Sequence, residues 1–235
     1  MYRMWFKWIV AFFGMCCVSK TSCYVNLANK TVYKGTPSQS SSYGMSMFSA
    51  DKAVDGQIQK GTDGSSCSFT IGQTEYQTAW WKLPLKLMSN IAYLQIQFRN
   101  TLEDRLYGFS VYVFNDSSFE PPSPLGYKVF TYGGHSCPSV MMNVTVNRVT
   151  KGIALFNSND ENHQLCKKYE KSFATIELCE VFVMACIDGY YGYPCEQCGH
   201  CLHQENALMD FMTQNAAVNA VTVFMENVSK KTEHV

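Results

Sequence analysis

The chain has 235 residues, 46% of them hydrophobic and only 16% charged, and its 19 basic side chains equal its 19 acidic ones. Such a length supplies one domain with a real core plus a small appendage. The balanced charge offers no basic stripe for phosphates and no juxtamembrane basic cluster, which argues against nucleic acid and anionic lipid as partners.

The first element in chain order is a targeting segment. Arg3 and Lys7 precede an apolar run from Trp8 to Val18 that is too short to span a bilayer with any margin, and the chain turns polar at Ser19. Residues 1–22 therefore read as a cleaved signal peptide rather than a retained anchor, with Ser19 and Ser22 placed to precede the cut. Secretion is expected, with no stable membrane span after cleavage. Strands are predicted over residues 91–98 (IAYLQIQF), 109–114 (FSVYVF), 141–149 (MMNVTVNRV), 152–156 (GIALF) and 175–184 (TIELCEVFVM). Turn-forming clusters at 115–118, 121–124, 133–134 and 157–162 separate them. With no helical periodicity between Asn26 and Cys186, this pattern predicts an all-β sandwich or barrel, in which the Tyr93 and Phe109 segments are expected to pair antiparallel. Beyond Cys186 the run CIDGYYGYPCEQCGHC is rich in glycine and cysteine and too small to bury a core without disulfides. Residues 204–235 carry apolar side chains at roughly helical spacing, interrupted by Asn215, Asn219 and Thr222. They read as a weak amphipathic helix or a disordered tail, not a membrane span.

Outside the signal segment the cysteines are Cys23, Cys67, Cys137, Cys166, Cys179, Cys186, Cys195, Cys198 and Cys201. That density fits an oxidising compartment, and the odd number leaves at least one thiol free, intermolecular or without its partner. Sequons at Asn29, Asn115, Asn143 and Asn227 agree with passage through the secretory pathway. Cys195-x-x-Cys198-x-x-Cys201, near His200 and His203, has zinc-like spacing, but disulfides are the reading in a secreted chain. In AVDG, Gly56 permits a bend that presents Asp55. This suits either a metal loop or a β-turn in which Asp55 bonds its own backbone. No serine–histidine–acid set or carboxylate pair stands in a catalytic context, and the five histidines fall in loops, the tail or the cysteine-rich piece. An enzyme is not expected.

Seven segments, taken together and in order, carry a resemblance: NLA (26–28), QSSSY (39–43), AVDG (53–56), GSSCS (64–68), the Trp80-Trp81 pair, RLYGFSVYV (105–113) and ELCEVFV (177–183). The set, over about two-thirds of the chain, resembles the F-type lectin (fucolectin) domain, a fucose-binding module, in its divergent invertebrate form. The piece after it resembles the opening of a multiple-EGF-like repeat. The resemblance implies a galactose-binding-like jelly-roll β-sandwich over residues 24–185, a partial EGF-like segment over 186–203 and a tail over 204–235. It implies a calcium ion held by the Lys52 carbonyl, Asp55, Gln57, Ser66 and Glu180, with Lys52 and Gln57 standing where asparagines are usual. It implies a Cys67–Cys179 disulfide and places Cys137 at a paired position whose usual partner is absent, so that Cys166 becomes the replacement. Cys23 and Cys186 form a further candidate pair.

For the sugar, the resemblance assigns Arg105 and, across a turn one residue shorter, Arg99. Multi-donor guanidiniums suit vicinal hydroxyls. Phe69 occupies the place of the family's histidine, offering stacking area but no donor or acceptor. Arg105 beside Asp104 also reads as a solvated strand-end pair, and Trp80 and Trp81 read as core and sheet-edge packing. The expected function is a secreted, calcium-stabilised carbohydrate-binding module with a degenerate sugar site and cell-surface or microbial glycans as partners. The alternative keeps the fold without the sugar, as a protein-recognition module of an EGF-containing adhesion or scavenger-type receptor with extracellular protein partners.

Overall fold

In a computed structural model of the protein, the described residues are 24–58, 64–73, 75–100, 103–133, 136–158, 173–186, 190–191 and 196–197. The signal segment, Cys23, Cys166, Asn227, most of the cysteine-rich piece and the tail lie outside them. Eight antiparallel strands make up the main body. They are β1 (Tyr24–Asn26), β2 (Ser38–Gln39), β3 (Ser68–Phe69), β4 (Thr78–Phe98), β5 (Ser110–Phe114), β6 (Gly126–Thr131), β7 (Met141–Ser158) and β8 (Glu177–Cys186). The order across the sheet is β1-β8-β4-β7-β5-β6, with β2 beside β4 and β3 beside β8. Two further two-residue strands, β9 (Tyr190–Tyr191) and β10 (Glu196–Gln197), pair within the cysteine-rich piece. Among the described residues no helix is long and apolar enough to cross a membrane.

β4 and β7 form one long ribbon that bends. Thr78 to Pro84 pair with Ser158 to Gly152, the register then shifts, and Ser89 to Gln97 pair with Thr150 to Met141. Pro84, which cannot donate to a ladder, stands at the shift, as prolines in strands usually do. Gly152 opposite it is required: a Cβ there would come within 2.2 Å of the Phe114 ring. The segments predicted over 141–149 and 152–156 are therefore one bulged strand. The prediction over 91–98 found only the second half of β4.

The expected pairing of the Tyr93 and Phe109 segments is not formed, because β7 lies between β4 and β5 and pairs with both. Its cause is the ribbon: β4 and β7 pair along nearly their whole length, so β5 is left the outer edge of β7.

The two halves of the ribbon share one core, in which Trp81, Leu83, Leu94, Ile96, Ile153, Leu155, Val181 and Val183 are at most 1% exposed. At roughly 1.5–3 kcal/mol for each such large side chain, this burial is the main driving force. Polar residues in the quoted motifs fix the strands to one another. Asn26 Oδ1 accepts from Ala28 N–H at 3.1 Å and from Val183 N–H at 2.9 Å, which ties β1 to β8. The indole of Trp81, fully buried, donates to the Ala50 carbonyl at 2.9 Å and holds the short 3-10 turn Ala50–Val54 against β4. Asn29, Asn115 and Asn143 are exposed.

Candidate functional site

Cys67, just before β3, and Cys179 in β8 form a disulfide, closing a sequence separation of 112 residues. Cys137 and Cys186 are disulfide-bonded as well; Cys166 and Cys23, their expected partners, lie outside the described residues. The Cys67–Cys179 bridge has Ser66 and Phe69 near one end and Glu177 and Glu180 near the other. It thus anchors two adjoining sites.

The first is a cleft of about 340 Å³ lined by Tyr43, Phe48, Phe69, Arg99, Arg105 and Glu177, with Thr70, Gly72, Phe173 and Thr175 completing it. Arg99 lies one residue past the end of β4 and Arg105 in the 3-10 turn Glu103–Leu106. Glu177 opens β8 with its side chain 5% exposed. It joins the two arginines: its Oε1 accepts from Arg105 Nη1 at 2.9 Å and its Oε2 from Arg99 Nη1 at 3.3 Å. The structure thus brings the two sequence-assigned arginines together, through a residue that sequence reasoning placed only in a strand. Arg105 is paired with this buried acid; the Asp104 side chain lies outside the described part of the structure. The Arg105 carbonyl accepts from the buried Asn157 amide at 2.9 Å, and the same amide reaches the Thr175 carbonyl at 2.8 Å. Asn157 was expected in a turn; it is a β7 residue that locks the arginine's backbone to the segment before β8.

Phe69 lines the cleft but is only 6% exposed. Phe48 is stacked on its ring, with centroids 4.5 Å apart and planes at 6°, and the Arg99 guanidinium lies over the ring at 4.8 Å. The ring thus supports Arg99 and is not an open stacking platform. The open aromatic is Tyr43, 56% exposed. Gln39 organises this wall, its amide donating to the Phe69 carbonyl at 3.0 Å and the Phe48 carbonyl at 3.2 Å. Two glycines allow the close approach. A Cβ at Gly64, whose φ is +70°, would lie 2.6 Å from the Phe69 ring and 2.9 Å from Arg99 Nε; one at Gly72 would lie 2.6 Å from Phe173.

The second site is the loop from Lys52 to Gln57. Trp81 holds its base through the Ala50 carbonyl, and Gly56 takes φ +82° so that the chain can turn over Glu180. Glu180 Oε2 accepts from the Gly56 N–H at 3.1 Å. Its Oε1 is buried with no hydrogen-bond partner among the described residues. Burial pushes the Glu180 carboxyl up to about 7 against the Gly56 bond; Asp55 adds to the rise and Lys34 opposes it. Asp55 is exposed, its Oδ1 accepting from the Gln57 N–H at 2.8 Å, as the β-turn reading foresaw. The Lys34 ammonium donates to the Val54 carbonyl at 2.8 Å and so brings a positive charge to the loop. A buried carboxylate oxygen left without a donor is costly unless a cation or proton meets it. The side-chain donors here are oxygens, from Glu180 and the neighbouring Asp55. These residues fit a hard cation such as calcium.

No protein-family model and no curated protein matches the sequence. Solved structures match its fold. The fold is similar to that of the fucolectin from striped bass (Morone saxatilis) serum, with a TM-score of 0.53 and 19% identity over 72% of this chain and 50% of that one. This chain therefore spans about half the length of the striped-bass lectin. A fucose binding module from Streptococcus pneumoniae matches with a TM-score of 0.48 and 20% identity over 68% of this chain and 96% of that one. The Clostridium perfringens NanJ family 32 module, solved with galactose, matches at 0.47 and 12% over 68% and 98%. The striped-bass likeness shows the fold: an all-β, galactose-binding-like jelly roll.

Proposed function

We propose that residues 24–185 are a carbohydrate-binding module of a secreted protein, and that the Arg99–Glu177–Arg105 cleft is its sugar site. The observation that carries this reading is the convergence of two guanidiniums on one buried carboxylate beside aromatic side chains. Guanidiniums supply several donors in a fixed plane, and an aromatic side chain covers the apolar face of a pyranose. The cleft volume, about 340 Å³, lies in the small-ligand range of roughly 300–1,000 Å³. Binding rather than hydrolysis is favoured because glycoside cleavage needs two cooperating carboxyl groups. Among the described residues Glu177 is the one acid in the lining, and both its oxygens hold arginines.

Calcium belongs to the same proposal. Asp55, Glu180, Ser66 and the Lys52 and Gln57 carbonyls would hold the ion, which supplies a positive charge to the buried Glu180 and fixes the loop. It takes no part in sugar chemistry. The signal-like residues 1–22 and the cysteine content support secretion, and the DGYYG run supports an EGF-like continuation over 186–203.

A glycan array of the secreted chain, run beside Arg105→Ala and Phe69→His variants, tests the reading. The expected outcome is glycan binding that Arg105→Ala removes, with simple fucosides weak in the unmodified chain. A histidine contact forgone at Phe69 is worth about 0.5–1.5 kcal/mol. An array blank for the unmodified chain and for Phe69→His would sink the sugar reading and leave the protein-recognition alternative in its place.

A further inference from the structure

We propose, on the secretion reading above, that Asn143 carries an N-linked glycan and that this glycan keeps an open edge of the sheet from pairing with another chain. β7 changes neighbours along its length. Residues 152–156 lie between β4 and β5, whereas 141–150 pair with β4 alone among the described residues. That half of β7 is therefore an edge, and an edge presents unpaired N–H and C=O groups to any passing strand.

The other edges carry the usual protection. β1, β2 and β3 have three, two and two residues, too few for a lasting ladder. β6 presents the exposed Lys128, and an edge lysine opposes pairing. β7 itself bends at Asn147, whose φ is +48°, where its register against β4 shifts between Ile91 and Tyr93. Before that bulge the run MMNVTV (141–146) has no charge, no proline and no glycine, a composition that pairs readily with its own kind. Arg148, the first charge after it, lies over the Tyr127 ring at 3.7 Å.

The run holds one possible guard, the sequon Asn143-Val144-Thr145. Met141, Asn143 and Thr145 are exposed while Val144 and Val146 are buried, so the acceptor amide and its hydroxyl share one solvent face. Among the described residues no hydrogen bond ties down the Asn143 amide. Asn115, by contrast, accepts at Oδ1 from the Lys151 N–H at 3.2 Å. In the modification the Asn143 amide nitrogen bonds the anomeric carbon of an oligosaccharide carried on a lipid pyrophosphate. The bond from that carbon to the pyrophosphate oxygen breaks with its electron pair, and the nitrogen gives up one proton. A second chain extending the sheet would have to lie about 4.8 Å from β7. A bulky, solvated glycan rising from the middle of the run stands in its way.

The full-length chain, secreted from cultured animal cells, supplies the test. Peptide mass mapping should find Asn143 glycosylated in most copies. Light scattering should show Asn143→Gln associating with itself about tenfold or more tighter than the parent chain, with Asn29→Gln unchanged. Thr145→Lys also removes the sequon but puts a charge on the edge, and it should stay monomeric. Should Asn143→Gln fail to be secreted, enzymatic deglycosylation of the folded chain carrying Asn29→Gln, Asn115→Gln and Asn227→Gln makes the same comparison. A bare Asn143 in the secreted chain would overturn the proposal, and glycans at Asn29 or Asn115 would then leave the secretion reading standing. A glycan at Asn143 whose loss leaves the chain equally monomeric would overturn the guarding role. Thr145→Lys associating as strongly as Asn143→Gln would overturn it too, since the contact would then lie away from the β7 edge. A chain that stays in the cytosol without glycans would remove both readings.

Discussion

Glu177 and Glu180 stand three residues apart on β8, both buried, and the fold treats them in opposite ways. Between them the register of β8 against β4 shifts, Gln97 lying opposite Glu180 and Phe98 opposite Leu178. Glu177 meets two arginines of the same chain. Glu180 meets one backbone N–H and is left with an oxygen that no described group satisfies. Protein cations neutralise the first acid and thereby turn it into a mount for the arginine fork. The second is proposed to await a cation from solution. Two buried carboxylates in one strand can therefore stand in different states, and their partners decide which.

The comparison breaks most severely if the bridge beside both acids is removed. Replacing Cys67 and Cys179 by serine frees a loop of 112 residues, for which the chain-entropy model gives about 4–5 kcal/mol. Urea unfolding of the double variant should show a lowered midpoint, with calcium response and glycan binding impaired together.

The Glu180 side is sharpened by metal removal. If calcium binds only the folded chain, a hundredfold excess over Kd stabilises it by about 2.7 kcal/mol. A chelator should lower the thermal midpoint accordingly, and Asp55→Ala should abolish most of the difference. Identical melting curves with and without chelator would remove calcium from the account.

A smaller effect is expected from pH in chelator. The folded Glu180 carboxyl, pushed up to about 7, holds its proton more tightly than an unfolded glutamate near 4.3. The folded state thus binds more protons between these values. Cation-free stability should be greatest below about pH 4.3 and should fall as pH rises through 7, by on the order of 2 kcal/mol after allowance for solvent screening. Saturating calcium should cancel or reverse that slope, and Glu180→Gln should flatten it.

The smallest effect belongs to Glu177→Gln. Its partners are 23% and 37% exposed and can turn to water, so a loss of about 1–2 kcal/mol is expected. Sugar affinity should fall as the fork loosens, while the response to calcium stays as it was. A double-mutant cycle with Arg105→Gln checks that the loss belongs to the pair.

The sequence was most legible where local rules and tertiary need agree. The aromatic and β-branched residues of 109–114 and the strong strand pattern of 175–184 located β5 and β8 within a residue or two, because those strands lie beside a continuous core. Trp81, read as core, is fully buried. Periodicity could not show that β4 and β7 are single ribbons, since Pro84 and the register shift imitate a strand end. Nor could it show that β7 separates β4 from β5. Arg99 and Arg105 were reached through resemblance. Glu177 was not, though one signal stood in plain view: an acid heading a strand that is apolar but for it and Glu180 must find a cation or a proton. Gln39 and Asn157 escaped because their partners are backbone carbonyls distant in sequence, and nothing in a residue's own neighbourhood announces those.

The edge strand β1 has a mechanical consequence. Tyr24 lies opposite Cys186 and Asn26 opposite Met184, so the chain enters and leaves the sandwich side by side. A pull on the two flanking segments would load the β1–β8 hydrogen bonds one after another, as a zip is drawn, and a ladder of three residues resists such peeling poorly. A Cys23–Cys186 bridge would change the path of the force altogether. Tension would cross from one flank to the other through two sulfur atoms, and the folded body would hang beside the line of stress with its cleft undisturbed.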